Sequence, residues 1–105
     1  MITGLLEPVV SGFSWTQQMV LSDENGVPIA DDVLSDCEIK IQIMDEICSH
    51  GRATAIASVL DVGTIEWTFP NIGLCQGRYA LVIDVTGDDQ IPERIAHFTL
   101  PVTRN

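Results

Sequence analysis

The chain has 105 residues, of which 46% are hydrophobic and 19% charged, a composition that fits one folded domain and excludes a disordered polymer. Its 15 acidic and 5 basic side chains give a formal net charge of -10, which disfavours nucleic-acid binding because the protein repels phosphate backbones. No apolar run approaches the roughly 20 residues of a transmembrane helix, so we expect no membrane partner.

The first twelve residues show little hydrophobic periodicity and contain Gly4, Pro8 and Gly12. We interpret residues 1–12 as an N-terminal arm or edge segment that is a candidate for interaction, and we expect residues 13–105 to form a single domain. The N-terminus has neither a basic start nor a long apolar segment, so we expect no secretory signal and maturation in the cytoplasm.

Two strands separated by a turn are predicted next. Residues 14–22 favour a half-buried strand with Trp15 on its apolar face. Asn25 and Gly26 favour a tight reversal, because both residues tolerate positive φ. The cleanest alternation in the chain then predicts a strand whose core-facing residues are Cys37, Ile39, Ile41 and Ile43.

The middle of the chain predicts a loop and two more strands. Residues 45–52 favour the loop. Residues 53–60 are rich in alanine, which also suits a helix, but their alternation and their neighbours favour one strand. After a tight reversal at Val62 and Gly63, residues 64–69 predict a strand with Ile65, Trp67 and Phe69 on one face.

The last third of the chain predicts a hairpin. Gly77 and Tyr79 open an alternating apolar run within residues 74–85, and a turn-rich pentad at 86–90 leads into a second run at 94–102. In that second run Phe98 shares the apolar face with Ala96, Leu100 and Val102. Pro101 predicts an edge position or a bulge, since proline cannot donate to a β-ladder.

Short strands separated by turn signals indicate an antiparallel sandwich or a small barrel. We expect about six to eight strands. Tyr79 favours an Ig-like sandwich, because we expect its ring to be mostly buried and its hydroxyl to bond to nearby backbone, as in a tyrosine corner. Leu81 stands where an antibody domain has cysteine. The residues predicted to be structural are Trp15, Gly26, Trp67, Gly77, Tyr79 and Phe98.

Acidic residues in the predicted turns are weak candidates for calcium ligands, because calcium takes six to eight oxygen ligands. Their spacing matches no EF-hand loop, and Asp is favoured in turns for local backbone reasons. We therefore interpret them as solvated turn residues and predict no metal and no cofactor. The candidates are Asp23, Asp31, Asp32, Asp84, Asp88 and Asp89.

The remaining reactive side chains form no recognisable motif. Cys37, Cys48 and Cys75 cannot all pair within one chain and include no C-x-x-C arrangement, so reduced thiols are expected. His50 and His97 lack the paired short spacings of a zinc site. Since no nucleophile lies in a known catalytic context, we predict that the protein is not an enzyme.

Three segments resemble the small Ig-like modules of tailed-bacteriophage structural proteins, including the N-terminal domain of upper baseplate proteins. They are the strand and turn LSDENGVPI at 21–29, the Gly77-Arg78-Tyr79 strand opening, and the ending FTLPVTR at 98–104. The resemblance implies a virion or prophage component of a tail, neck or baseplate, assembled in the host cytoplasm. The implied partners are other phage structural proteins and further copies of this chain. The alternative is a sandwich that binds calcium or carbohydrate through its acidic loops.

Overall fold

The computed structural model describes residues 2–23, 25–29, 34, 36–47, 50–61 and 63–104. In these ranges no helix is long and apolar enough to cross a membrane. The same ranges form nine strands. They are β1 (Ile2–Leu5), β2 (Val9–Val10), β3 (Trp15–Val20), β4 (Glu38–Asp45), β5 (Gly51–Ile56), β6 (Ser58–Asp61), β7 (Thr64–Phe69), β8 (Gly77–Thr86) and β9 (Pro92–Thr103).

The strands form two sheets. The six-stranded sheet has the order β1-β9-β8-β4-β5, with β2 also pairing with β9, and the three-stranded sheet has the order β3-β7-β6. Strands β1 and β2 run parallel to β9, and the other pairs are antiparallel. The orders β9-β8-β4-β5 and β3-β7-β6 correspond to the G-F-C-C′ and B-E-D strands of immunoglobulin domains. The predicted all-β, Ig-like sandwich is confirmed.

The core lies between the sheets and takes one face of most strands, because side chains alternate along a strand. The predicted inward faces of β4, β7 and β9 are buried; Cys37, which precedes β4, is only half-buried. Trp67 is buried, and its indole Nε1 has no hydrogen-bond partner among the described residues. The inward residues are Ile39, Ile41 and Ile43 of β4, Ile65, Trp67 and Phe69 of β7, and Ala96, Phe98, Leu100 and Val102 of β9.

Strand β8 is buried on both faces at its centre. Leu81 and Ile83 belong to the main core, whereas Ala80 and Val82 pack with Met44 in a second cluster. This second cluster lies on the outer face of the six-stranded sheet, since alternate residues point to opposite faces. On this outer face Ala80 and Val82 are flanked by Met44 and Gln42 of β4 and by Thr99 and His97 of β9.

The prediction of one strand over residues 53–60 is wrong. The chain changes sheets at Ala57, so β5 pairs with β4 in the six-stranded sheet while β6 pairs with β7 in the three-stranded sheet. The Ala57 N–H donates to the Ile39 carbonyl (2.9 Å) at the crossing point. This split and the two short strands in residues 2–10 bring the described strands to nine, above the six to eight expected.

The expectation of an edge position for Pro101 is wrong, whereas the expected irregularity is present, since one extra residue of the N-terminal segment lies opposite Pro101 between β1 and β2. Strand β9 pairs with β8 on one side and with β1 and β2 on the other, and the register is regular where Pro101 faces Arg78. Proline is accommodated because Pro101 falls between the segments of β9 paired with β1 and β2. Its missing N–H therefore leaves no ladder position unfilled.

The predicted turns are confirmed where they lie in described residues. Asp23 Oδ1 accepts hydrogen bonds from the N–H groups of Asn25 (2.9 Å) and Val27 (3.0 Å), and Gly26 takes the positive φ that the tight turn requires. At the other turn, the Gln90 N–H donates to the Gly87 carbonyl (3.1 Å) and allows β8 and β9 to pair as the predicted hairpin.

Candidate functional site

The link between β2 and β3 carries the chain from one sheet to the other and is held by hydrogen bonds to a distant connection. Ser11 Oγ donates to the Leu74 carbonyl (2.6 Å), and the Gly12 N–H donates to the Ile72 carbonyl (2.7 Å). The Ile72 N–H in turn donates to the Phe13 carbonyl (3.0 Å). These bonds fix the backbone on both sides of Phe13, so the position of its side chain is set by the sandwich.

A cleft of about 520 Å³ opens beside this link, between the N-terminal segment and β3. We call it the N-terminal cleft. Phe13 is 52% exposed and Val10 is 40% exposed, while Trp15 is half-buried. The cleft is lined by Glu7, Pro8, Val9, Val10, Phe13, Ser14, Trp15 and Gln17.

An aromatic cluster supports the floor of the cleft. Trp15 stacks on Phe69, with ring centroids 5.9 Å apart and an interplanar angle of 10°, and meets Trp67 edge to face at 5.8 Å and 82°. Both geometries are favourable for aromatic pairs. Trp15 is therefore held rigidly from behind while part of its ring stays accessible.

The lining of the N-terminal cleft is mainly uncharged. Glu7 is the one charged side chain among the described residues that line the cleft, and no histidine, cysteine or lysine accompanies it there. Protein interfaces are enriched in aromatic side chains, which are surrounded there by polar groups. This arrangement can take up apolar side chains of another polypeptide.

Three other exposed apolar residues lie in separate connections between strands. Ile47 lies between β4 and β5, Val27 lies in the turn after β3, and Ile91 lies between β8 and β9. Single exposed apolar residues are normal on a protein surface. Val10 and Phe13 differ from them because both line the same cleft.

The predicted calcium candidates are used locally where the structure describes them. Asp23 caps its own turn, and Asp89 Oδ1 accepts a hydrogen bond from the Ile91 N–H (3.2 Å). Asp88 is exposed in the same turn. Asp31 and Asp32 lie outside the described residues, and the described ones include no group of three side chains able to hold a metal ion.

The sixth candidate, Asp84, lies at a β-bulge and pairs with Arg94. Arg94 Nε donates to Asp84 Oδ1 (2.9 Å) and Nη2 donates to Oδ2 (3.3 Å). The hydrogen bond that Arg94 donates to Asp84 raises the pKa of Arg94, although burial acts in the opposite direction. Since a raised pKa keeps the guanidinium charged, the contribution of Arg94 to stability declines as the pH rises through that pKa, far above neutrality.

Two further ion pairs connect the ends of strands in the six-stranded sheet. Arg52 makes a two-point contact with Asp45, at 3.0 Å from Nε to Oδ1 and 2.8 Å from Nη2 to Oδ2. Arg78 lies 3.7 Å from Glu46. Exposed pairs of this kind contribute about 0–1 kcal/mol each, so they hold neighbouring strand ends rather than form a site.

The cysteines and histidines do not come together. Cys37 is half-buried, Cys75 is an exposed free thiol, and His50 and His97 are both exposed. Cys48 lies outside the described residues. The described members of this set therefore give no support to a shared metal site.

The residues predicted to be structural are distributed over the core and the turns. Trp67 and Phe98 lie in the core, Gly77 begins β8, and Gly26 lies in the first turn. The Tyr79 hydroxyl donates to the Cys75 carbonyl (2.9 Å), as predicted, but its ring is half-buried rather than mostly buried.

The sequence predicts only part of the N-terminal cleft. Residues 7–10 belong to the segment interpreted as an arm that is a candidate for interaction, whereas Phe13 lies outside that segment. Its signal in the sequence is an aromatic residue between Gly12 and Ser14, outside the alternation of the next strand. The chain matches no protein-family model, and no curated protein matches it.

Proposed function

We propose that the protein is a non-enzymatic structural or assembly protein of a phage or prophage virion, a component of a tail, neck or baseplate that acts through protein–protein contacts. The observation that carries the proposal is the N-terminal cleft, with Phe13 and Val10 exposed on a backbone tied to the sandwich. The resemblance of segments 21–29, 77–79 and 98–104 to phage Ig-like modules supplies the virion assignment.

A protein partner suits the cleft better than a small polar ligand. Phe13 and Trp15 offer large apolar rings, and aromatic residues of this kind carry much of the binding energy at interfaces. The terminal strands of the sheets add a second route, since an extended segment can pair with the open edge of β3 or β5. The net charge of -10 favours partners with a basic surface.

The test compares oligomeric state and presence in particles. Phe13→Ser is expected to shift the protein towards monomer in sedimentation velocity over a concentration series, because it removes an exposed ring from the cleft. Ile91→Ser is the matched control, since Ile91 is 68% exposed but lies between β8 and β9. Mass spectrometry of purified phage particles from the source should detect the wild-type chain.

The proposal would be contradicted if the wild-type protein stayed monomeric at high concentration and also never appeared in phage particles. Equal association of the Phe13→Ser and Ile91→Ser variants would contradict the role of the cleft alone.

A further inference from the structure

The N-terminal segment docks on β9 in two separate pieces. Strand β1 pairs Ile2–Leu5 with residues 96–99, and β2 pairs Val9–Val10 with residues 102–103. From position 5 to position 9 the N-terminal segment advances four residues, while β9 advances three, from 99 to 102. One extra residue is therefore accommodated at the break between β1 and β2.

Two prolines lie in the break, one on each side. Pro8 lies in the N-terminal segment just before β2, and Pro101 lies in β9 between the positions paired with β1 and β2. Neither residue has a backbone N–H, so the ladder cannot run continuously through this interval. The Leu6 N–H donates to the Thr99 carbonyl (2.9 Å) at the β1 end of it. Strand β1 can thus leave β9 while β2 stays in place.

Strand β1 is held by little side-chain burial. Thr3, Gly4 and Leu5 are exposed, with Leu5 at 73%, while Ile2 and the adjoining Leu6 are half-buried and pack against the main core. Val9 in β2, by contrast, is buried in the main core. Because local opening costs less where no fully buried side chain is lost, β1 should detach more readily than β2.

Detachment of β1 leaves the backbone of β9 without its neighbour at residues 96–99, and such an edge pairs with a new strand. A second copy of this chain offers the same four residues, which restore the same hydrogen bonds and the same side-chain contacts. We infer that two copies exchange β1, so that β1 of each copy pairs with β9 of another. This inference deepens the proposed protein–protein role, on which it rests, by naming the partner.

The segment that would act as the hinge favours an extended path. Residues 6–8 are short, and Pro8 restricts Glu7 to extended conformations. Exchange of an identical element between copies has a low cost, and short hinges promote it. The hinge residues Glu7 and Pro8 also line the N-terminal cleft with Val10 and Phe13.

The test uses two single-cysteine chains in a background where Cys37, Cys48 and Cys75 are serine. One carries Thr3→Cys and the other His97→Cys, two positions that are exposed and paired in register across β1 and β9. An equal mixture, with one chain size-tagged, is refolded at high concentration and oxidised. Disulfide formation above the level of random collisions requires β1 of one chain beside β9 of the other. We expect this heterodimer to predominate over both homodimers on a non-reducing gel, with the linked peptide identified by mass spectrometry.

The control mixes the Thr3→Cys chain with an Ile91→Cys chain. Ile91 is exposed but lies outside the residues that pair with β1, so this mixture measures disulfides formed by random collision. Heterodimer formation with His97→Cys at this control level would overturn the exchange. A two-glycine insertion after Leu6 lengthens the hinge and should reduce cross-linking to the control level, since β1 can then return to its own β9. Cross-linking unchanged by the insertion would contradict the hinge argument.

The two proposals can fail separately. A protein that associates and appears in particles, yet cross-links only at the control level, contradicts the strand exchange and leaves the proposed function standing. A protein that exchanges β1 in solution but is absent from particles contradicts the virion assignment alone.

Discussion

The hydroxyl of Tyr79 ties the start of β8 to the connection that precedes it. It donates to the Cys75 carbonyl at 2.9 Å, and its ring packs against the main core. Leu81, two residues later, is buried where immunoglobulin domains place the second cysteine of their disulfide. The corner is therefore kept by a hydrogen bond and apolar packing.

Removing this hydrogen bond alone should weaken the fold measurably. Tyr79→Phe keeps the ring but leaves the Cys75 carbonyl without the hydroxyl, and we expect a loss of about 0.5–1.5 kcal/mol in the free energy of unfolding. Urea denaturation measures it. Thr16→Val is a comparison, because the Thr16 hydroxyl bonds to that of Thr68 on an exposed face (2.9 Å) and its loss should cost less. A Tyr79→Phe protein as stable as the wild type would show that the corner bond contributes nothing.

At the scale of elements, β9 organises the larger sheet because it pairs with three strands. It contacts β8 along ten register positions, from Gly77 to Thr86, and carries β1 and β2 on its other side. The smaller sheet depends instead on β7, which lies between β3 and β6. Gly63, in the turn that joins β6 to β7, lies against Leu21 and Pro28, which flank the turn after β3. The Leu21 N–H also donates to the Gly63 carbonyl (2.6 Å).

Gly63 in that turn should not tolerate a side chain. Its φ is 69°, and an added Cβ would lie 2.8 Å from Pro28 Cβ and 2.9 Å from the Leu21 carbonyl oxygen. Backbone strain alone costs roughly 1–2 kcal/mol, so Gly63→Ala should lose more than that in urea denaturation. Gly73→Ala is the matched control, because nothing lies within 4 Å of its added Cβ. We expect that variant to be neutral or stabilised by up to about 1 kcal/mol. Equal effects of the two substitutions would refute the argument.

At the scale of the whole molecule, the formal net charge is -10, and the acidic side chains that the structure describes form no group of three able to hold a metal ion. Among the described residues, Asp23 and Asp89 accept hydrogen bonds from their own turns, and Asp84 pairs with Arg94. A surface of this sign keeps copies apart in solution and protects sheet edges. The proposed association therefore has to overcome this repulsion through specific contacts, such as those of the N-terminal cleft or the exchanged β1.

Calcium should not stabilise the fold. We expect the same melting temperature in CaCl₂ as in MgCl₂ at equal ionic strength, since the described acidic residues serve turns and ion pairs. A ligand at about 100 times its dissociation constant would add roughly 2.7 kcal/mol, which a thermal melt resolves. A calcium-specific rise would support the alternative of a calcium-binding sandwich and would direct attention to Asp31 and Asp32.

Local chemistry in the sequence was enough to predict much of this fold. Alternation places Ile39, Ile41 and Ile43 on a buried face, and it does so because a strand has a period of two wherever one face is covered. Asn25 and Gly26 predict their turn because the required backbone angles depend on those residues alone. The sequence also determined the charge and the Tyr79 corner.

Only the tertiary structure decided how these pieces combine. The change of sheet at Ala57 depends on the pairing of β5 with β4 and of β6 with β7. The local alternation of residues does not predict this pairing. Pro101 is tolerated inside a sheet because β1 and β2 leave a gap opposite it, a pairing across more than ninety residues. The N-terminal cleft likewise exists because distant hydrogen bonds from residues 72–74 place Phe13 beside β2. Long-range pairing, rather than local preference, sets each of these features.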